Sequence, residues 1–342
     1  MAHLVQLTKA KEPVELTELT LAPVYDGEVL VRVEACALGQ LDWNLLTLDA
    51  PPRLPLVPGH EAVGVVQAVG RHTRLRPGER VFITPLASCC QTCAHCRSGE
   101  ARFCSKARWR GIHTDGALGT HLVAHESGLI PLEVPVGMSE LPEPLPLPLA
   151  ASLALVGGSL WTAVGAVRAL HLVQSSRIAV YGVGGVGHLV VQVARALGHQ
   201  VFATDHDPER VRLAEELGAK PIATYKGETG EVGPFDAAVV CTPSTQALQR
   251  AVRVVLPGAR VFFLGTSPTG RVDLSVAELV WRGLSIKGGL LGTRGDLDEG
   301  LSLLLANRVK ARVELISLED VPARLWALRD LGFPGRLVAL PR

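Results

Sequence analysis

Six residues, Gly182-Val-Gly-Gly-Val-Gly187, constrain the fold of this 342-residue chain more than any other stretch. They fit G-x-G-x-x-G, with Gly182, Gly184 and Gly187 at the three glycine positions. The apolar run Arg177 to Tyr181 before them reads as a strand. Val186 to Leu197 after them reads as a helix that Gly198 stops. A glycine turn in this setting lets the backbone approach a pyrophosphate and aims the N–H groups of a helix N-terminus at it. Gly182, Gly184, Gly185, Val186 and Gly187 are therefore the candidate phosphate-binding positions.

The segments that follow support a parallel sheet. Gln200 to Thr204 reads as the next strand, and Asp207-Pro208-Glu209 opens a helix with Asp207 as N-cap and Pro208 at the first helical position. Asp236 to Cys241 and Arg260 to Leu264 continue the strand–helix alternation, which is the pattern of βαβ units. Asp205 stands at the end of the second strand, 23 residues after Gly182. A carboxylate there bonds ribose hydroxyls and repels a 2′-phosphate, so the reading is NAD(H) over NADP(H). Arg210 is placed to reach the same ribose.

The first third reads differently. Glu28 to Ala35, His60 to Val69 and Val81 to Thr84 are short strands between turns such as Pro58-Gly59 and Pro77-Gly78, which suggests an antiparallel, barrel-like unit. Inserted in it is C-x2-C-x2-C-x7-C, made by Cys90, Cys93, Cys96 and Cys104. Four soft thiolates suit a tetrahedral Zn2+ with no position left for substrate, so the site is expected to be structural. Cys89 stands next to Cys90 as an alternative ligand, and the two-residue gap to Cys93 favours Cys90. His95 lies inside the same lobe.

Composition narrows the function classes. Net charge is +1, which gives no basis for binding nucleic acid or an anionic membrane. Metal-type cysteine spacing is expected of a reducing, cytoplasmic location. No apolar leader is visible from Met1 to Glu12. Leu145 to Val167 carries no charge and is long enough to span a bilayer, but its prolines, glycines and small residues favour a buried junction between domains.

Together these motifs resemble the zinc-type medium-chain alcohol dehydrogenases over nearly the whole chain. The resemblance runs through Gly27-Glu-Val-Leu-Val-Arg-Val-Glu-Ala-Cys36, Pro58-Gly-His-Glu-Ala-Val-Gly-Val-Val66, the cysteine lobe and the glycine turn. It continues in Leu256-Pro-Gly-Ala-Arg-Val261, Gly292-Thr-Arg-Gly-Asp-Leu297 and Pro334-Gly-Arg-Leu-Val338. It implies an α/β protein in which a GroES-like β-barrel catalytic domain, residues 1–155 and 289–342 with a zinc lobe at 89–105, is split around a doubly wound Rossmann coenzyme domain, residues 156–288. It also implies hydride transfer between NAD(H) and a small carbonyl, enone or alcohol. Arg336 corresponds to a pyrophosphate partner, and the assembly to a homodimer or homotetramer.

The chain departs from that family where the catalytic zinc is held. Gly39 and Gly158 fall on two ligand positions, and Leu41 falls on the residue that relays the alcohol proton. His60 and Glu61 survive, and Ser159 is a further donor, so His60, Glu61 and Ser159 are the candidate catalytic residues. The expectation is an oxidoreductase with one structural zinc and no catalytic zinc. The alternatives are a zinc alcohol dehydrogenase with atypical ligands, in which Asp42 or another acid joins His60 and Glu61, and a catalytically silent NAD(H)-binding sensor. Trp43, Trp161 and Leu41 read as pocket lining or core.

Overall fold

The structure is a computed structural model that describes residues 1–223, 232–266, 270–328 and 333–341. Two compact units divide it. One comprises residues 1–158, 313–332 and 336–342, and the other residues 159–312 and 333–335.

The first unit is built on the strand Glu28–Leu38, whose alternating valines and alanines are buried. Ala62–Val69 and Arg336–Leu340 lie antiparallel on its two sides, and His121–His125 pairs with its first half. Arg80–Ile83 and Leu129–Pro131 extend the sheet on one side. Val313–Ser317 adds a parallel strand beyond Arg336–Leu340 on the other. The register sets Leu337 opposite Leu38 and Ala62 opposite Cys36. Glu61 and Arg336 therefore flank the C-terminal end of the central strand from opposite sides. The strand expected from His60 begins instead at Ala62, because the Gly59 N–H is spent on a side-chain carboxylate, that of Asp42.

The cysteine lobe lies between the paired strands Leu86–Ser88 and Arg108–Trp109. Among residues 89–107 only Cys104 is buried, so the lobe has almost no apolar core of its own. The uncharged stretch after Leu145 forms a helix, Leu147–Ala154, buried at Ala150, Ala151, Leu153 and Ala154, and a buried helical turn, Leu155–Gly157. The chain passes to the second unit at Ser159, which opens the helix Ser159–Arg168. Among the described residues no single helix is long and apolar enough to cross a membrane.

The second unit is a six-stranded sheet in which every pairing is parallel. The spatial order is Lys220–Pro221, Gln200–Thr204, Arg177–Tyr181, Phe235–Val240, Val255–Phe263, Ser285–Gly288. In chain order this is 3-2-1-4-5-6, so strand order reverses between Arg177–Tyr181 and Phe235–Val240. That reversal opens a crevice at the carboxyl ends of the two strands, the place where doubly wound sheets bind ligands. The strand expected from Arg260 is longer and starts at Val255.

Candidate functional sites

The four cysteines come together as the spacing predicts. Their sulfurs all lie within 4.8 Å of one another, and among the described residues they are the only group of three or more His, Cys, Asp or Glu side chains to do so. Cys93 to Cys96 and Cys104 to Cys90 are both 3.5 Å, and Cys90 to Cys96 is 3.9 Å. A tetrahedral Zn2+ with Zn–S bonds of about 2.3 Å sets sulfurs about 3.8 Å apart, so the donor set fits. The main-chain N–H groups of Cys93 and Lys106 point at the Cys90 and Cys104 sulfurs, each at 3.3 Å. Hydrogen bonds from the Thr92 N–H and hydroxyl, and then from the Cys93 N–H, pull the Cys90 thiol down to about 5.

The second candidate centre lies at the end of the Glu28–Leu38 strand, where Gly39 caps the helix Gln40–Leu46. Asp42, in the first turn, is 2% exposed. Its Oδ2 accepts the Gly39 N–H at 2.9 Å and its Oδ1 accepts the Gly59 N–H at 2.8 Å. The same Oδ1 faces His60 Nδ1 at 3.1 Å. A carboxylate can only accept, so Nδ1 carries a proton and Nε2 is the nitrogen left for other chemistry. Burial pushes the His60 pKa down, but the Asp42 carboxylate and then Glu61 more than offset it, and the net direction is up. Burial likewise pushes Asp42 up, and His60 with the two N–H groups brings it below the usual carboxylate range.

Glu61 is fully buried. Its Oε2 is 3.1 Å from Arg336 Nη2, and Arg336 Nη1 donates to the Leu38 carbonyl at 3.1 Å. Two glycines border this pair. A Cβ at Gly39 would overlap the Arg336 guanidinium, and one at Gly158 would sit 2.8 Å from the Glu61 carboxyl. Neither glycine has a positive φ, the angles being −138° and −146°. The structure thus brings together His60, Glu61 and Arg336, and adds Asp42 as the fixed partner of His60. It places Ser159 in the second unit, buried at the head of its helix. The Trp43 indole N–H donates to the Trp326 carbonyl at 3.3 Å and that of Trp161 to the Thr293 carbonyl at 2.6 Å.

The third candidate centre is the glycine turn at the strand reversal of the second unit. Gly182 has φ +90°, a conformation L side chains rarely adopt. A Cβ at Gly187 would run into the Gly182 carbonyl, whereas one at Gly184 would meet only Arg210 Nη1, at 3.7 Å. Gly187 thus closes the turn on itself, and Gly184 keeps its outer face open. Asp205 is tied to the turn: its Oδ2 accepts the Val183 N–H at 2.7 Å, and Oδ1 accepts the Asp207 N–H at 3.1 Å. Arg210 Nη1 is 4.0 Å from Asp205 Oδ2. Gly185 and Val186 complete the turn, with Val186 as helix N-cap.

One positioning residue escaped the sequence reading. His188, fully buried, donates from Nδ1 to the Gly184 carbonyl at 3.0 Å and accepts the Arg312 N–H on Nε2 at 3.3 Å. Its only sequence signal is a polar ring directly after the last glycine.

A parallel sheet of order 3-2-1-4-5-6 with a glycine turn at its reversal is the arrangement of a dinucleotide-binding unit. Residues 25–134 match the alcohol dehydrogenase GroES-like domain, and residues 185–306 match the zinc-binding dehydrogenase family. An alcohol dehydrogenase of Geobacillus stearothermophilus is 32% identical over 320 residues, 91% of each chain. A crystal structure of an NAD-dependent alcohol dehydrogenase superposes with a TM-score of 0.84 at 25% identity, over 99% of this chain and all of the other. The alcohol dehydrogenase of the hyperthermophilic archaeon Aeropyrum pernix shares the fold, with a TM-score of 0.86 at 23% identity over 99% of this chain and all of the other. The chain belongs to the zinc-type medium-chain alcohol dehydrogenase family and is an alcohol dehydrogenase-like oxidoreductase.

Proposed function

We propose that the protein is an NAD(H)-dependent oxidoreductase that reduces an activated carbonyl, enone or quinone-like acceptor, with one structural zinc on Cys90, Cys93, Cys96 and Cys104 and no catalytic zinc. The observation that carries this reading is the donor set around His60. Of the three positions that hold the catalytic metal in the resembled family, only His60 has a side chain able to ligate. Gly39 and Gly158 have none, and the donor atoms of Asp42, His60 and Glu61 do not gather as the four sulfurs do. Catalytic zinc usually has three protein ligands, so the residues present do not fit one.

The nicotinamide, when bound, supplies the hydride. Gly182, Gly184, Gly185, Val186 and Gly187 are assigned to its pyrophosphate, Asp205 and Arg210 to its ribose, and Arg336, by family resemblance, to the pyrophosphate as well. His60 does the work of an acid. Asp42 holds Nδ1–H, so the protonated ring presents Nε2–H to a carbonyl oxygen, polarises it, and gives up that proton as the alcohol forms. The ring that remains is neutral and still anchored on Asp42. Ser159 is assigned as a second donor. Leu41 offers no hydroxyl to carry the proton of a simple alcohol away, which favours reduction. Assembly as a homodimer or homotetramer is in keeping with Val276, Val280 and Trp281, all exposed on one short helix.

A panel of aldehydes, ketones, enones and quinones, with NADH absorbance as the readout, tests the assignment. The expected result is turnover of at least one acceptor class that survives a chelator. Oxidation of simple alcohols that a chelator abolishes, while the circular dichroism spectrum stays unchanged, would contradict it.

A further inference from the structure

His188 lies in the first turn of the helix Gly187–Ala196 and is fully buried. A leucine would fill that space without taking polar atoms out of water, which is costly unless each finds a partner. Both ring nitrogens have partners, and both specify one state. The Gly184 carbonyl can only accept, so Nδ1, 3.0 Å away, carries the proton. The Arg312 N–H can only donate, so Nε2, at 3.3 Å, is bare. The ring is therefore neutral and held as the Nδ1–H tautomer.

The bond to Gly184 falls on the freest peptide of the turn. The Gly184–Gly185 unit has no Cβ on either side, so its plane can turn over at little steric cost. In the structure its carbonyl accepts the His188 main-chain N–H at 3.1 Å as well as the ring Nδ1–H. Both lone pairs are used, and the carbonyl is fixed toward the helix. The peptide is not among the cis bonds, so the Gly185 N–H on its opposite edge points the other way. Among the described residues no main-chain carbonyl takes that N–H.

We propose that His188 is the positioning residue of the phosphate site: its Nδ1–H holds the Gly184 carbonyl inward and so keeps the Gly185 N–H turned toward a pyrophosphate. The inference rests on the assignment of the glycine turn to the cofactor made above. Main-chain N–H groups in series attract an anion, whereas a peptide turned over would set a carbonyl oxygen against it. Gln192, one helical turn further on, is the internal comparison. Its amide accepts the Lys310 N–H at 2.8 Å and donates to the Lys310 carbonyl at 2.9 Å and the His188 carbonyl at 3.1 Å. It therefore docks the same 310–312 segment as the His188 ring, and none of these bonds reaches Gly184.

The test compares ADP-ribose, which carries the pyrophosphate, with adenosine, which has no phosphate, by displacement of NADH fluorescence, alongside the melting temperature. Wild type should bind ADP-ribose far more tightly than adenosine. His188→Leu should weaken ADP-ribose about tenfold and leave adenosine within about twofold. His188→Asn, whose amide N–H lies where Nδ1–H lies, should keep most of the ADP-ribose affinity although its small polar side chain lowers the melting temperature more than leucine does. Stability and affinity thus rank the two variants in opposite orders. Gln192→Leu should lower the melting temperature and leave ADP-ribose binding unchanged. Wild-type ADP-ribose affinity in His188→Leu, or equal losses in His188→Leu, His188→Asn and Gln192→Leu, would overturn the inference alone. ADP-ribose binding no tighter than adenosine in wild type would overturn the glycine-turn assignment with it. A measurement on wild type covers the case in which the variants do not fold. In ring-15N histidine spectra the His188 ring, identified by its contact with the Arg312 N–H, should show Nδ1 protonated and Nε2 bare; a proton on Nε2 would overturn the inference.

Discussion

At the scale of single residues, the proposed chemistry rests on the buried Asp42–His60 pair and on Asp205. Asp42 holds His60 through one oxygen and two backbone N–H groups through both, so His60 stays in place in either protonation state. The His60 pKa is raised, so the pair's contribution to stability is full below about 6.5, the unperturbed value, and is lost as pH rises through the folded-state value. For Asp42, whose pKa is lowered, the contribution is present above about 3.9 and is lost as pH falls through the folded-state value. Acceptor reduction should therefore be steady at low pH and decline as His60 loses its proton. Asp42→Asn should move that decline to lower pH and cut kcat about a hundredfold; an unmoved profile would remove His60 from the acid role. Asp205 is the second case. NADH is expected to bind more tightly than NADPH, and Asp205→Asn to weaken NADH by about 1.5 kcal/mol, roughly tenfold, in a fluorescence titration. Equal affinity for the two cofactors in wild type would contradict the assignment. Asp205 was legible from its place at a strand end. Its bond to the Val183 N–H was not, because it depends on where the turn folds back.

At the scale of elements, the strand–turn–helix from Arg177 to Ala196 was readable because four glycines interrupt two apolar runs of different period. The structure separates what the glycines do. Gly187→Ala should destabilise the unit by about 1–3 kcal/mol and abolish NADH binding, since its Cβ meets the Gly182 carbonyl. Gly184→Ala should leave the melting temperature within a degree or two and still weaken NADH, because only the outer face of the turn is filled. Equal destabilisation by both would refute this division. The cysteine lobe was equally plain in the sequence, its ligand spacing being local. With Cys104 its only buried residue, Cys96→Ser should release the metal and expose residues 89–107 to rapid hydrogen exchange and protease. The parallel sheet of residues 159–312 should keep its protection. Protection of the lobe without metal would show a core that the burial pattern does not contain.

At the scale of the whole molecule, the parallel sheet and the barrel-like unit were legible from patterns a few residues long, whereas the strand orders and the centre around His60 were not. Arg336 meets Leu38 across 298 positions of sequence and Glu61 across 275. The resemblance pointed Arg336 to a pyrophosphate, and nothing local marked its bonds to the Leu38 carbonyl and Glu61. The absence of ligands at 39 and 158 was visible in the sequence; what fills the space they leave was not. The central claim is that this chain has the residues for the family's structural metal and lacks those for the catalytic one. Zinc per chain, measured by elemental analysis on protein washed free of loosely held ions, tests it most directly. The account predicts about one equivalent, lost in Cys96→Ser and retained in His60→Ala. Two equivalents that survive washing, one of them lost in His60→Ala, would contradict it.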